Sequence, residues 1–253
     1  MPVISRRPWS RDELVVAFYH YCRIPFGKLH RLNPEIISLS KVLDRTPSAV
    51  AMKLSNFASF DPAHRQRSVV GLKNTSKADR EIWEQFHNDW ESLIIESSDI
   101  VDNLGDAKGT KLTQRMSQAT ETKAERRVRL VQAFFRETVL ASYDSNCGIC
   151  SLEIAELLVA SHIIPWSADK GRRADPTNGL CLCVFHDKAF DKGLFCLDPS
   201  LRIKLSKRVH KSRTSVLVKF GLTDFENHRL ILPQRFAPDP DCLAYHRLNV
   251  FQA

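Results

Sequence analysis

No apolar run in this 253-residue chain approaches the roughly 20 residues needed to cross a bilayer as a helix. The opening residues, Met1-Pro2-Val3-Ile4-Ser5-Arg6-Arg7, lack the apolar core of a secretion signal. The expectation is therefore a cytoplasmic protein with no membrane partner. No internal repeat or low-complexity tract is visible, which argues against solenoids and tail-like segments. Acidic residues are the minority, 29 against 37 Lys and Arg, and the formal net charge of +8 favours a polyanionic partner through counterion release. Hydrophobic residues, at 43%, suffice for the cores of one or two domains. Cysteine is not scarce: there are seven. Without a secretion signal they argue against a disulfide framework, and their spacing points to metal.

Residues 1–95 read as a helical domain. Ser10-Arg11-Asp12-Glu13 is a capping box, followed by Leu14, Val15, Phe18 and Tyr19. Asn33-Pro34 opens a second helix carrying Ile36, Ile37, Leu39 and Leu43. After a break at Asp44-Arg45, Thr46-Pro47 opens a third, Ser48 to Phe57. This is a helix-turn-helix-like outline, and it would present Lys53 and Asn56 to DNA. An ordinary helical hairpin explains the same pattern. Ser76-Lys77-Ala78-Asp79 caps a further helix, whose stripe of Ile82, Trp83, Phe86, Trp90, Leu93 and Ile94 reads as core. Residues 96–121 are rich in Ser, Thr and Gly and read as a linker. Residues 122–253 form the second domain. It opens on a basic helix, Thr122 to Tyr143, whose Arg136 is a candidate phosphate contact.

The chemistry lies beyond that helix. Cys147-Gly148-Ile149-Cys150 and Cys183-Val184-Phe185-His186 supply four ligands for a closed tetrahedral structural zinc site. Cys181, two residues from Cys183 on the same side of a strand, competes as a ligand. Cys22, Cys196 and Cys242 read as isolated buried thiols. Between the pairs, Leu157 to Ala160 reads as a strand ending in Ser161-His162. A polar loop with Lys170, Arg172 and Arg173 follows, and Arg172 and Arg173 are further candidate DNA contacts. Asn178-Gly179 reads as a turn, Leu180 to Cys183 as a second strand, and His186 begins a helix. Asp187 and Asp191 lie one turn apart on one helix face. Downstream, residues 193–197 and 201–205 read as a hairpin that supplies Arg202, Lys204, Lys207 and Arg208 to a basic face.

Taken in order, Cys147-x-x-Cys150, Ser161-His162-Ile163-Ile164-Pro165-Trp166, Asp175-Pro176-Thr177-Asn178-Gly179-Leu180 and Cys183-x-x-His186-Asp187-x-x-Phe190-Asp191-x-Gly193-Leu194 resemble an HNH endonuclease of the bacterial restriction type. The resemblance implies an α+β chain, with a zinc-containing ββα-metal nuclease domain after the helical one. It implies His162 as general base, Asn178 as the residue that orients it, and Asp187 and Asp191 as ligands of a catalytic Mg²⁺ or Mn²⁺. Ser161 departs from the family, which has Asp or His at that position, and would be a weaker third ligand. The implied activity is metal-dependent hydrolysis of double-stranded DNA in restriction or defence, with modified bases among the targets and a homodimer as one route to double-strand cuts. Two other readings fit the sequence: a non-catalytic zinc protein that binds DNA, favoured by Ser161, and a homing-type HNH nuclease.

Overall fold

The structure, a computed structural model, describes residues 7–62, 75–108, 122–212 and 214–253, with side chains from 105 to 108 left aside. It divides into two compact units, Met1–Leu130 and Val131–Ala253.

The first unit is helical: α1 (Arg11–Arg23), α2 (Pro34–Val42), α3 (Pro47–Phe57), α4 (Lys77–Phe86) and α5 (Trp90–Lys108). Each of the first four starts where a side chain can satisfy the free amides of the first turn. Ser10 and Glu13 form a capping box on α1, as Ser76 and Asp79 do on α4. Asn33 and Thr46 cap α2 and α3, each with Pro next in line. α1 packs against α3, α4 and α5. Its Phe18 ring lies 5.0 Å from Phe57, 5.4 Å from Trp83 and 6.2 Å from Trp90. The aromatic stripe is therefore core.

Two expectations for this unit are corrected. Lys53 and Asn56 do not face outward; both are buried on Asp79. Lys53 Nζ lies 2.7 Å and Asn56 Nδ2 3.4 Å from the Asp79 carboxylate, which also accepts the Ser76 amide. A carboxylate with no exposed surface needs that set of donors to offset its lost hydration. Neither residue is free to contact DNA, and α3 turns Ser48 and Met52 to solvent instead. We expect Lys53→Met to destabilise the unit by about 3 kcal/mol, as for other broken buried pairs, while DNA affinity holds. A denaturant melt beside a gel shift checks this; lost affinity at unchanged stability would restore Lys53 as a reader.

The second correction concerns the linker expected over 96–121. Residues 96–108 continue α5. Ser97 is buried one turn after Leu93, where a small side chain suits close packing, so a composition typical of linkers sits within a helix. Residues 109–121 lie outside the described residues.

The boundary between the units falls within α6 (Lys123–Ser142), which opens on a Thr122–Glu125 capping box. In the second unit β1 (Leu158–His162) and β2 (Gly179–Cys183) pair antiparallel, Leu158 with Cys183 through His162 with Gly179. α7 (Val184–Asp191) follows β2 directly and packs on both strands. It begins two residues before His186, with Cys183 as its cap residue. The β3 (Phe195–Leu197) and β4 (Ile203–Leu205) hairpin turns on Asp198, whose carboxylate accepts the Ser200 and Arg202 amides. Short α8 (Lys207–Lys211) and α9 (Val216–Gly221) precede α10 (Pro240–Asn249), which packs on β3.

Candidate active site and metal centre

Cys147, Cys150, Cys183 and His186 converge, with their ligand atoms all within 4.8 Å of one another. Two folded features bring them together. The Cys147–Cys150 knuckle closes through Cys147 N–H to Leu152 O, with Ser151 in the left-handed region at φ 58°. The Gly148 amide then ties the knuckle to β2 by donating to Cys181 O at 2.7 Å. The start of α7 presents His186. Its Nδ1 lies 3.5 Å from Cys147 Sγ and 3.2 Å from Cys183 Sγ, while Nε2–H donates to the Gly221 carbonyl at 2.7 Å. Tetrahedral zinc with bonds of about 2.3 Å to S and 2.0–2.1 Å to N separates such atoms by about 3.6 Å. The spacing and the soft donor set fit a metal such as zinc. The Nε2 hydrogen bond leaves the Nδ1 lone pair for the metal, a typical arrangement for a ligating imidazole. Cys183 is held well below the ordinary thiol range, chiefly because Cys147 hydrogen-bonds its thiolate, and burial opposes this. Cys147, which keeps its proton toward Cys183, is pushed up. Cys181 is not part of the cluster: its thiol is buried and pushed up to about 12 by desolvation.

His162 closes β1. Its ring lies 3.7 Å from Phe135 of α6, at an interplanar angle of 10°, with Trp166 edge-on at 5.5 Å. Gly179, opposite His162 in the ladder, makes this approach possible. A Cβ there would meet Val139 at 2.4 Å and Phe135 at 3.0 Å. The turn expected at Asn178-Gly179 is instead the 3-10 segment Pro176–Asn178, and the glycine serves close packing. His162 Nε2 lies 3.1 Å from the Arg173 carbonyl. A carbonyl can only accept, so Nε2 carries the proton and Nδ1 the lone pair. Burial holds the ring below the ordinary histidine value, opposed by the hydrogen bond to Arg173. Asn178 is buried and ties the loop together. Its Oδ1 accepts the Ile164 amide at 2.8 Å, and its Nδ2 donates to Ile164 O and Arg172 O, each at 3.2 Å. It thus fixes the carbonyl one residue before the one that holds His162.

On α7, Asp187 is half-buried and Asp191 exposed. The Asp191 carboxyl is pushed up, first by burial of part of the group and then by the charge of Asp187. Two carboxylates one helical turn apart can offer oxygen ligands to a hard cation. Ser161 Oγ is buried with no protein hydrogen-bond partner, so its hydroxyl is available as a further oxygen donor. Among the described residues no third His, Cys, Asp or Glu joins Asp187 and Asp191.

Residues 147–198 match the family model for HNH endonuclease. This chain carries an HNH endonuclease domain. No curated protein matches the chain in a sequence search. The HNH domain suggests a nuclease and implies a nucleic-acid substrate. Among the described residues no helix is long and apolar enough to cross a membrane.

The basic side chains expected on the nucleic acid are all engaged within the protein. Arg172 bridges Asp175 at 2.7 Å and Asp239 at 2.8 Å, which leaves it little charge to offer a phosphate. Arg173 Nε donates to Trp166 O, with the guanidinium 4.7 Å over that indole. Arg136 donates to Leu158 O at the start of β1 but keeps an exposed side chain. Sequence reasoning missed the supports of the HNH domain. His246 of α10 stacks on Phe190 at 3.6 Å and donates to its carbonyl, clamping α7 from the far end of the chain. Gly193, in the HNH motif, has φ +62°, and a Cβ there would meet Val250 O at 2.1 Å. Gly221 O carries no sequence signal of its role at His186.

Proposed function

We propose that this chain is a divalent-metal-dependent endonuclease that hydrolyses phosphodiester bonds of double-stranded DNA, in restriction or defence against foreign DNA. The observation that carries the reading is the setting of His162: a ring stacked on Phe135, with Nε2 held on the Arg173 carbonyl so that Nδ1 is the nitrogen left to take a proton. In this reading Nδ1 takes a proton from water as the water oxygen attacks phosphorus and the bond to the 3′ oxygen breaks. The 3′ oxygen leaves with the bonding pair and takes a proton from solvent, so the ends are 5′-phosphate and 3′-hydroxyl. Asn178 is a positioning residue that acts through the loop backbone. Asp187 and Asp191, with Ser161 as a weaker third donor, would hold Mg²⁺ or Mn²⁺. When bound, that ion supplies Lewis-acid stabilisation of the charge on the phosphate and the leaving oxygen. Zinc at Cys147, Cys150, Cys183 and His186 is structural, because four protein ligands leave no open position.

The rival reading, a non-catalytic zinc protein on DNA, rests on Ser161. A supercoiled plasmid incubated with the full chain in Mg²⁺ separates the two, since only the nuclease nicks it. We expect Asp187→Ala to slow nicking by more than the about 10–100-fold typical of an outer-shell partner. Zinc content should be unchanged, and high Mn²⁺ should restore part of the rate. Full activity in Asp187→Ala would remove Asp187 from the ligand set. The helical unit, with Lys53 and Asn56 withdrawn, keeps target selection as its proposed role through other surfaces, modified bases included. One HNH site cuts one strand, so a homodimer is the proposed form for double-strand cuts.

A further inference from the structure

α9 is the most exposed apolar element of the second unit. Val216, Leu217 and Phe220 are 70%, 62% and 62% exposed. They share one face, at i, i+1 and i+4. The other face is already used: Val218 and Leu222 pack on the core. The ridge is therefore not a core face awaiting its partner within this unit.

The stretch of chain that carries α9 selects the partner. From Ile203 to Thr223 the sequence holds Lys204, Lys207, Arg208, Lys211, Arg213 and Lys219 and not one Asp or Glu. The nearest downstream acids, Asp224 and Glu226, pair with Lys219 and His210. A second copy meeting this face symmetrically would set these cations against their own kind. A polyanion would not, and one with flat apolar faces inside a charged backbone suits both parts of the patch.

The ridge is also held firmly. Gly221, the last residue of α9, accepts the Nε2–H of His186. A Cβ on Gly221 would lie 2.5 Å from the Phe185 ring, so α9 rests directly on the start of α7. A metal held by His186 would thereby fix α9 as well.

We propose that the outer face of α9 is a DNA-contacting ridge of the HNH domain. Leu217 and Phe220 press against or between bases, and the exposed Lys207, Arg208 and Lys211 of α8 hold the phosphates. The inference rests on the nuclease reading for its choice of DNA, yet its test needs no cleavage. The full chain is titrated, without added Mg²⁺, into a short duplex carrying 2-aminopurine. Wild type should raise the 2-aminopurine emission as bases unstack. The Leu217→Ser, Phe220→Ser double variant should lose at least about tenfold in affinity, on the scale of one base–aromatic contact, and show no rise, with zinc content and circular dichroism unchanged. Phe220→Trp, a milder change, should bind as wild type and have its indole emission quenched by the duplex. Wild type that binds and nicks DNA while the double variant matches it and the Phe220→Trp emission stays still would overturn the ridge and leave the nuclease reading standing. A double variant that changes sedimentation and leaves duplex binding intact would reassign the face to a protein partner. Wild type that binds no duplex would overturn both.

Discussion

Cys150→Ser should leave the HNH domain without a cooperative fold. The four side chains come from two places, the knuckle after α6 and the junction of β2 with α7, and a metal held there would add four bonds to the single Gly148–Cys181 backbone tie. Structural zinc supplies apparent folding free energy of about 10–16 kcal/mol in zinc-finger peptides, more than a domain's typical net stability of about 5–15 kcal/mol can spare. Loss of one ligand also frees His186, and with it the hydrogen bond to the Gly221 carbonyl that seats α9 on α7. We expect elemental analysis of wild type to find one zinc per chain. In Cys150→Ser the zinc should be lost, with collapse of the near-ultraviolet circular dichroism from the second unit. Cys181→Ser is the control: its thiol stands outside the cluster, and zinc should stay. Zinc-free wild type with intact tertiary signal would show the cluster to be four buried side chains and no more.

His162→Ala should reduce DNA nicking by about 10²–10⁴-fold, the usual contribution of a general base, while DNA binding and zinc content persist. Removing the ring takes away the proton acceptor and leaves the Arg173 carbonyl and the Phe135 face without their partner. Some stability will be lost as well, so the rate is best read under single-turnover conditions, well below the melting temperature and with DNA binding measured alongside. A step limited by proton transfer should show the full loss. A His162→Ala enzyme that nicks at the wild-type rate would move the base elsewhere.

The parts of this molecule that were legible in the sequence are those set by near neighbours. Ser10, Asn33-Pro34, Thr46-Pro47 and Ser76 announce helix starts because a cap acts on amides two or three residues away. The β1–β2–α7 order was readable from short apolar runs around polar punctuation, and the convergence of Cys147, Cys150, Cys183 and His186 from their paired spacing. What escaped is what long-range packing decides. Lys53 looks like a surface residue until Asp79, 26 residues on, turns out to be buried beside it. Ser97 looks like linker until α5 is seen to run to Lys108; a fragment ending at residue 95 would cut this helix just after its buried Leu93 and Ile94. The Gly179 backbone meets Phe135 and Val139 from α6, some 40 residues back, so a local reading sees only a turn. His246 reaches Phe190 across 56 residues, with nothing nearby in sequence to mark it.

The central claim is that this HNH domain uses a divalent ion beside His162 to hydrolyse DNA. The most direct measurement is nicking of supercoiled plasmid by the zinc-loaded full chain, with Mg²⁺ present, then chelated, then restored. Nicks with 5′-phosphate ends that stop on chelation and resume with Mg²⁺ while zinc stays bound are the result expected. A well-folded, zinc-loaded protein that binds plasmid DNA yet leaves it supercoiled in both Mg²⁺ and Mn²⁺ would contradict it.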